Sequence, residues 1–125
     1  KMGHRQPYTK VQIEAVKANM VCVHFLTPPE GTVLGLLAAG PRGLRRGRPD
    51  IVCAAVSSAA YLTVNTLTDV CHVTPLSLRV GEGEMFFRIE PKDSPLQELL
   101  QGFKLHLQSL EEQYPSALRV AYMEI

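Results

Sequence analysis

The chain has 125 residues, of which 46% are hydrophobic and 20% charged, a composition typical of a single folded domain. This composition excludes intrinsic disorder and collagen-like structure. With 13 basic and 12 acidic residues the net charge is +1, so the charge of the whole chain gives no reason to expect nucleic acid or a membrane as partner.

The N-terminal segment gives only a weak indication of secondary structure. Apolar side chains at Val11, Ile13 and Ala15 alternate with polar ones, which favours a short strand. Residues 13–17 would also tolerate a helix. Both structures remain open for this segment.

Two strands joined by a turn are predicted next. Residues 20–27 and 32–39 are rich in β-branched and apolar side chains, and the Pro-Pro-Glu-Gly sequence between them is typical of a turn. Pairing around this turn places His24 opposite Gly35.

A basic loop follows this hairpin. Residues 40–49 contain three glycines, two prolines and four arginines, which predicts an exposed, mobile loop without regular structure. The arginines are Arg42, Arg45, Arg46 and Arg48. Because mobile arginines beside glycine suit phosphate binding, the loop is a candidate RNA contact. A simple solvated loop is the alternative, since no aromatic residue is interleaved to stack bases.

The first helix is predicted from Asp50 to about Thr68. Asp50 is a preferred N-cap residue, because its carboxylate accepts hydrogen bonds from the amides of the first turn. Apolar and small residues then continue around almost the whole circumference, so we expect a buried central helix.

A second hairpin and a second helix come next. Apolar runs on both sides of the Gly-Glu-Gly-Glu sequence at residues 81–84 predict the hairpin. The helix is predicted to start with a capping box formed by Ser94, Pro95 and Gln97. Its leucine-rich stripe repeats at the helical period up to Pro115.

A last strand, with Leu118, Val120 and Tyr122 on one face, completes the order β-β-α-β-β-α-β. Antiparallel hairpins interrupted by two amphipathic helices predict an α+β fold in two layers, with both helices packed on a mainly antiparallel sheet. A strand at the N-terminus would extend that sheet.

The three cysteines, Cys22, Cys53 and Cys71, contain no C-x-x-C pair. Their spacing indicates neither a disulfide framework nor a metal site, and no cofactor is predicted. Cysteines without a disulfide pattern are typical of a reducing compartment, so we expect a cytoplasmic protein. Polar residues interrupt the most apolar run, at residues 51–67, so no membrane span is expected. No apolar core follows the basic N-terminal residues, so no signal peptide is expected either.

Cys53 is the residue that best fits a chemical role. With Asp50 as the N-cap it is the third residue of the first helix, where the amides and the helix dipole stabilise a thiolate. The arginines of the preceding loop favour the thiolate further, and the carboxylate of Asp50 opposes it. The alternative is that Cys53 is one more small apolar residue of a buried helix, since cysteine is commonly buried.

The sequence DIVCAAVSSAAYLTVN, at residues 50–65, resembles the signature of the Prp (YsxB-like) ribosomal-processing cysteine protease family. The resemblance extends from MVCVHFLTPPEGTVLGLLAAG at residues 20–40 to LEEQYP and LRVAY near the C-terminus. Residues 20–125 are therefore expected to form a Prp-like domain. Residues 1–19 are either an added strand or a segment encoded upstream of the natural start.

The resemblance implies a small homodimeric cysteine protease that removes the N-terminal extension of a large-subunit ribosomal protein. Cys53 matches the nucleophile, and Asp50 and Ser57 match family positions around the site. The helix N-terminus would supply donors for the oxyanion, and the glycine-rich loop that starts at Gly40 would fold over the substrate as a lid.

One position departs from the family pattern. The family places its catalytic histidine in a Gly-His-Ala motif, twelve residues before the cysteine, where this chain has Gly40, Pro41 and Arg42. Proline has no titratable side chain and no amide proton, so Pro41 cannot act as a general base. We therefore expect slow or absent proteolysis. The chain is either a protease with a weakened or relocated base, or a pseudoenzyme that binds at the ribosome as an assembly factor.

The four histidines offer no clear replacement for that base. His24 is predicted to lie about 20 Å from position 41 along the strands. His72 and His106 are expected at the far end of the first helix and on the second helix. His4 is the remaining candidate, because the predicted pairing brings the N-terminal segment near the site.

Overall fold

Five strands and two α-helices make up the described part of the chain. The computed structural model describes Lys10, Val11, Ile13 and residues 20–40, 51–81 and 84–125. The strands are β1 (Val21–Thr27), β2 (Gly35–Ala39), β3 (Ser77–Gly81), β4 (Glu84–Arg88) and β5 (Leu118–Glu124). The helices are α1 (Ile51–Asn65), continued by a π-helical turn (Thr66–Val70), and α2 (Gln97–Gln113), preceded by a 3-10 helix (Pro91–Leu96).

The strands form one sheet in the order β3-β4-β2-β1-β5. Neighbouring strands are antiparallel, except that β1 and β5 run parallel. The α+β class, the mainly antiparallel sheet and the element order predicted from the sequence are confirmed. The two edges of this sheet are β3 and β5.

Both helices pack on one face of the sheet and form the main core with it. Successive strand residues point to opposite faces, so alternate residues of β1, such as Val23 and Phe25, meet the helices. The rings of Phe25 and Phe103 meet edge to face, with centroids 5.7 Å apart. The helix residues buried in this core include Val52, Val56, Ala60, Val64, Leu100, Phe103 and Leu107.

Helix α1 is buried along one side only, so the prediction of a helix buried around its circumference is wrong. Ile51 and Leu62 are 70% and 67% exposed, because the sheet and α2 cover only the opposite side. By length and composition alone the stretch Ile51–Val70 would suffice to cross a membrane. Here Val52, Val56 and Ala60 pack in the core, as in the central helix of a folded domain.

The first hairpin has a different register from the predicted one. His24 pairs with Leu37 instead of Gly35, and β2 begins at Gly35 instead of residue 32. The reason is that the backbone of Val33 bonds to the side chain of Gln97. The Val33 N–H donates to Oε1 and its carbonyl accepts from Nε2, each at 2.8 Å. Because α2 satisfies both groups, the turn is longer than the sequence suggests.

Contrary to the predicted capping box, Ser94 is not the N-cap residue of α2. Ser94 lies inside the 3-10 helix, α2 begins at Gln97, and its N-cap is Leu96, whose side chain makes no capping hydrogen bond. The side-chain amide of Gln97 holds Val33 of the neighbouring turn. A residue predicted to stabilise its own helix therefore connects that helix to the first hairpin.

Three residues of the N-terminal segment are described, and all three are helical. The strand favoured by the alternating pattern is therefore not formed at Lys10, Val11 and Ile13. Val11 is 1% exposed, whereas Ile13 is 39% exposed. A helix turns residues two apart to different sides, which explains why these two apolar residues do not share one environment.

Candidate active site

Cys53 lies at the N-terminal end of α1, in a cleft between that helix and one end of the sheet. Because α1 begins at Ile51, Cys53 is the third helical residue, as predicted. It belongs to the first turn, whose amides donate outside the helix. The residue is partly buried and no disulfide joins it to Cys22 or Cys71.

The cleft has a volume of about 80 Å³ and mainly small or apolar walls. Ser57 follows Cys53 by one helical turn and Tyr61 by two, so all three side chains lie on the same side of α1. The opposite wall is the end of the sheet, with Val21, Ala38, Ala39, Gly40, Gly81, Glu84 and Met85. Tyr61, which lines the cleft, is 45% exposed.

Gly40 lies directly beside the sulfur. A methyl group at this position would be 3.9 Å from Cys53 Sγ and 3.7 Å from Val21 Cγ2. The first residue after β2 therefore packs against the thiol. Gly40 also occupies the first position of the family's Gly-His-Ala motif, so the structure places that first position beside the cysteine.

The structure brings together three of the predicted site residues, namely Cys53, Ser57 and Gly40. The other six lie outside the described residues, and their roles remain predictions. They are Asp50, Pro41, Arg42, Arg45, Arg46 and Arg48.

The histidines of the described chain do not line the cleft. His24 alternates with Val23 and Phe25, which face the helices, so it lies on the other face of the sheet. The sheet thus separates His24 from Cys53. His72 is exposed at the end of the π-helical turn, and His106 is exposed on α2. His4 lies outside the described residues.

Two polar side chains of the cleft were not predicted from the sequence, those of Tyr61 and Glu84. Tyr61 was detectable, because its spacing from Cys53 is two helical turns. Glu84 was not, because it reaches the cleft by pairing with Ala39 across two strands that are separated by the whole of α1. Within the described residues, no group of three His, Cys, Asp or Glu side chains could hold a metal ion.

This arrangement suits attack of a thiolate on a carbonyl carbon. A sulfur in this position has the placement that a nucleophile needs, and first-turn helix amides are suitable donors for an oxyanion. An α+β domain that presents a cysteine at a helix N-terminus in an open cleft has the features of a cysteine hydrolase.

The chain belongs to the cysteine protease Prp family, whose sequence model matches residues 20–119. The family predicted from the signature around Cys53 is thereby confirmed. No curated protein sequence matches the chain significantly.

Solved structures share the fold. The ribosomal processing protease Prp from S. aureus, in complex with a substrate peptide, is 24% identical with a TM-score of 0.72, and the match covers 83% of this chain and 100% of that one. The same protease with a covalently linked product peptide is 25% identical, with the same coverage and TM-score. SMU.848 from Streptococcus mutans is 26% identical over 87% of this chain and 98% of its own, with a TM-score of 0.72.

Proposed function

We propose that this protein binds the N-terminal extension of a large-subunit ribosomal protein in the Cys53 cleft and acts on it as a cysteine endopeptidase of low activity. The observation that carries the proposal is the position of Cys53, in the first turn of α1 and beside Gly40. The S. aureus relative has been solved with a substrate peptide and with a covalently linked product peptide, which supports a peptide as the ligand.

The reaction requires nucleophilic attack with stabilisation of the oxyanion, and then protonation of the leaving amine. The residues of the proposed site provide groups for the first requirement only. The Cys53 thiolate attacks the peptide carbonyl, a C–S bond forms, and the carbonyl electrons move to the oxygen, where first-turn amides of α1 stabilise the charge. The carbonyl re-forms as the C–N bond breaks, which leaves a Cys53 thioester that water later hydrolyses to regenerate the thiol, and the leaving amine must take up a proton. In a Cys-His enzyme the imidazolium supplies it. Pro41 has no proton to give, so this step is expected to be slow.

The magnitude of the loss follows from the general contribution of acid–base catalysis. A positioned acid or base accelerates a reaction by roughly 10²- to 10⁴-fold, so the natural chain should cleave more slowly than a complete Cys-His protease by about that factor. Replacing the proline by histidine, Pro41→His, is expected to restore part of the lost cleavage rate.

The test compares cleavage of a ribosomal N-terminal peptide by four forms of the full chain. Wild type is expected to cleave slowly or not at all, Pro41→His faster, and Cys53→Ala not at all. Cys71→Ala removes an exposed cysteine outside the cleft and is the control, expected to behave as wild type. Wild-type turnover faster than about 1 s⁻¹, the range of ordinary enzymes, would contradict the proposed weakness.

The reactivity of Cys53 tests the nucleophile without a substrate. The rate of alkylation by iodoacetamide follows the thiolate fraction, so a helix-stabilised thiolate is labelled with a midpoint below that of an ordinary cysteine, about pH 8.5. A midpoint at or above that value would argue for an inactive site. Cys71 in the same molecule serves as the reference.

A pseudoenzyme is the second candidate function, and Pro41 is the observation that favours it. In this alternative the cleft binds the ribosomal peptide, and the protein serves as a binding or assembly factor. The expected result is peptide binding by fluorescence anisotropy that survives Cys53→Ala, with no cleavage by wild type. Complete cleavage by wild type over hours, lost in Cys53→Ala, would exclude this alternative.

We also propose a homodimer, in which a second copy covers the exposed apolar side of α1. Ile51 and Leu62 are the exposed residues that support it. Leu62→Lys should convert the dimer to a monomer in sedimentation. Leu105→Lys is the matched control, since Leu105 is 63% exposed on α2. Dissociation by the control alone would place the interface on α2.

The arginine loop and the compartment complete the proposal. If Arg42, Arg45, Arg46 and Arg48 contact RNA, the logarithm of the binding constant should fall with log salt with a slope of roughly −3 to −4, and replacing the four arginines should flatten it. A flat dependence in wild type would contradict an RNA contact.

We place the protein in the cytoplasm, where reducing conditions keep a nucleophilic thiol reduced.

A further inference from the structure

The face of the sheet opposite the helices carries an apolar cluster of its own. Its buried members are Val11, Cys22, Leu26, Leu37 and Ala39. Four of them belong to β1 and β2, and the fifth, Val11, comes from the N-terminal segment. Their side chains point away from α1 and α2, because they alternate along the strands with residues of the main core.

Val11 precedes the residues that match the Prp family, which begin at residue 20. It is nevertheless 1% exposed, as deeply buried as most members of the main core. Ile13, two residues further on, is 39% exposed and is not part of the cluster. Among the described residues that precede the family match, Val11 is thus the one packed against the back of the matched domain.

The cluster reaches the candidate active site through the ends of two strands. Ala39 belongs both to the cluster and to the wall of the cleft. Its partner across the ladder is Cys22, and Cys22 follows Val21, which also lines the cleft. The next residue after Ala39 is Gly40, which packs beside the Cys53 sulfur.

We propose that Val11 is a positioning residue for the candidate active site, whose burial behind β1 and β2 holds Gly40 against Cys53. Protein interiors are close-packed, so removing atoms from the cluster leaves a cavity into which the neighbouring backbone relaxes. Here the neighbouring backbone is the wall of the cleft. The inference depends on where the cleft lies and not on peptide cleavage, so failure of the cleavage assays would leave it intact.

The three cysteines of the chain are natural reporters for this coupling. Cys22 is buried in the cluster, Cys53 is partly buried in the cleft, and Cys71 is exposed away from both. Their alkylation rates by iodoacetamide can be measured separately in one sample by peptide mass mapping. The rate depends on both the thiolate fraction and the accessibility of the sulfur, so the variants are compared at one fixed pH, with Cys71 as the internal reference.

The decisive comparison is Val11→Ala against Ile13→Ala in the full chain, at a temperature where circular dichroism shows both to be folded. In Val11→Ala the labelling of both Cys22 and Cys53 should rise by about three- to tenfold, because a cavity makes local opening easier. Cys71 should keep its wild-type rate. Ile13→Ala, which removes an exposed side chain nearby, should leave all three rates unchanged.

Several results would overturn the proposal. If Cys22 becomes more reactive while Cys53 keeps its rate, Val11 is only a packing residue of the back face. If neither rate changes, or if Ile13→Ala has the same effect as Val11→Ala, the burial of Val11 does not control the cleft. Should Val11→Ala fail to fold, the same three rates are compared in Val11→Thr, whose side chain has nearly the same shape.

Discussion

Adding one methyl group at either end of β2 is predicted to have opposite effects on the domain. At Gly35 the new Cβ would overlap the carbonyl oxygen of Phe87 and lie 2.8 Å from Leu26 Cδ1. The oxygen belongs to the backbone of β4, so β2 and β4 would have to separate. Overpacking of a well-packed core costs about 1–3 kcal/mol and more where backbone must move, so we expect Gly35→Ala to lose about 3 kcal/mol of unfolding free energy.

At Gly40 the same change meets only ordinary contacts. The new Cβ would be 3.7 Å from Val21 Cγ2 and 3.9 Å from Cys53 Sγ. Within the described ranges the glycine with a positive φ is Gly31, so Gly40 has a backbone that alanine also adopts. Such a replacement stabilises by roughly 0.4–1 kcal/mol, because it reduces the entropy of the unfolded chain. Gly40→Ala should therefore keep the fold and cover one side of the sulfur.

Urea unfolding and alkylation together test both predictions. With an m-value of about 1.5–2 kcal/mol per molar urea, Gly35→Ala should lower the unfolding midpoint by about 1.5–2 M, and Gly40→Ala should leave it unchanged or raise it. Labelling of Cys53 should slow in Gly40→Ala, with Cys71 unaffected. A loss of stability in Gly40→Ala equal to that of Gly35→Ala, or a wild-type labelling rate at Cys53, would show that Gly40 does not pack beside the sulfur as described.

The hydrogen bonds of two α2 side chains, Gln97 and Glu111, give further predictions for urea unfolding. Gln97→Ala leaves both backbone groups of the fully buried Val33 without their partners, so it should lower the unfolding free energy by about 2–4 kcal/mol. Gln101→Ala loses one bond of 3.0 Å to Gln97 and should lower it by less than about 1 kcal/mol. Equal losses in the two variants would contradict this prediction. Glu111→Ala removes the acceptor of the Val120 N–H, at 3.0 Å, and should cost about 1–2 kcal/mol, most of which Glu111→Gln should restore; no recovery would argue against the bond.

Local composition and periodicity predicted the five strands and two α-helices of the described chain, but not the 3-10 helix or the π-helical turn. The stripe of α2 is the clearest case, since Leu100, Phe103 and Leu107 are spaced for one helical face and are its buried residues. The N-terminal segment shows the limit of such patterns. Two apolar residues two apart satisfy an alternating rule, yet Val11 and Ile13 lie on a helix and meet different surroundings.

Local sequence patterns could not predict contacts between residues that are far apart in the chain. The register of the first hairpin depends on Gln97, which bonds to a residue 64 positions earlier in the chain. The same limit applies to the site. Cys53 and Ser57 were identified because helical spacing places them together, whereas Glu84 reaches the cleft only through the pairing of β2 with β4.

The signature around Cys53 also contains residues of the hydrophobic core, so its presence is explained by the fold as well as by catalysis. Val52 and Val56 flank the cysteine in sequence and are buried against the sheet. They hold α1 in place, and the position of α1 fixes the thiol at the cleft whether or not a base is present. Under the proposed function, Pro41 in place of the family's histidine is expected to slow proton transfer, and Pro41 is not among the described residues that form the cleft walls. Peptide binding and peptide cleavage are therefore expected to be separable, and the Pro41→His variant tests cleavage without replacing any of those wall residues.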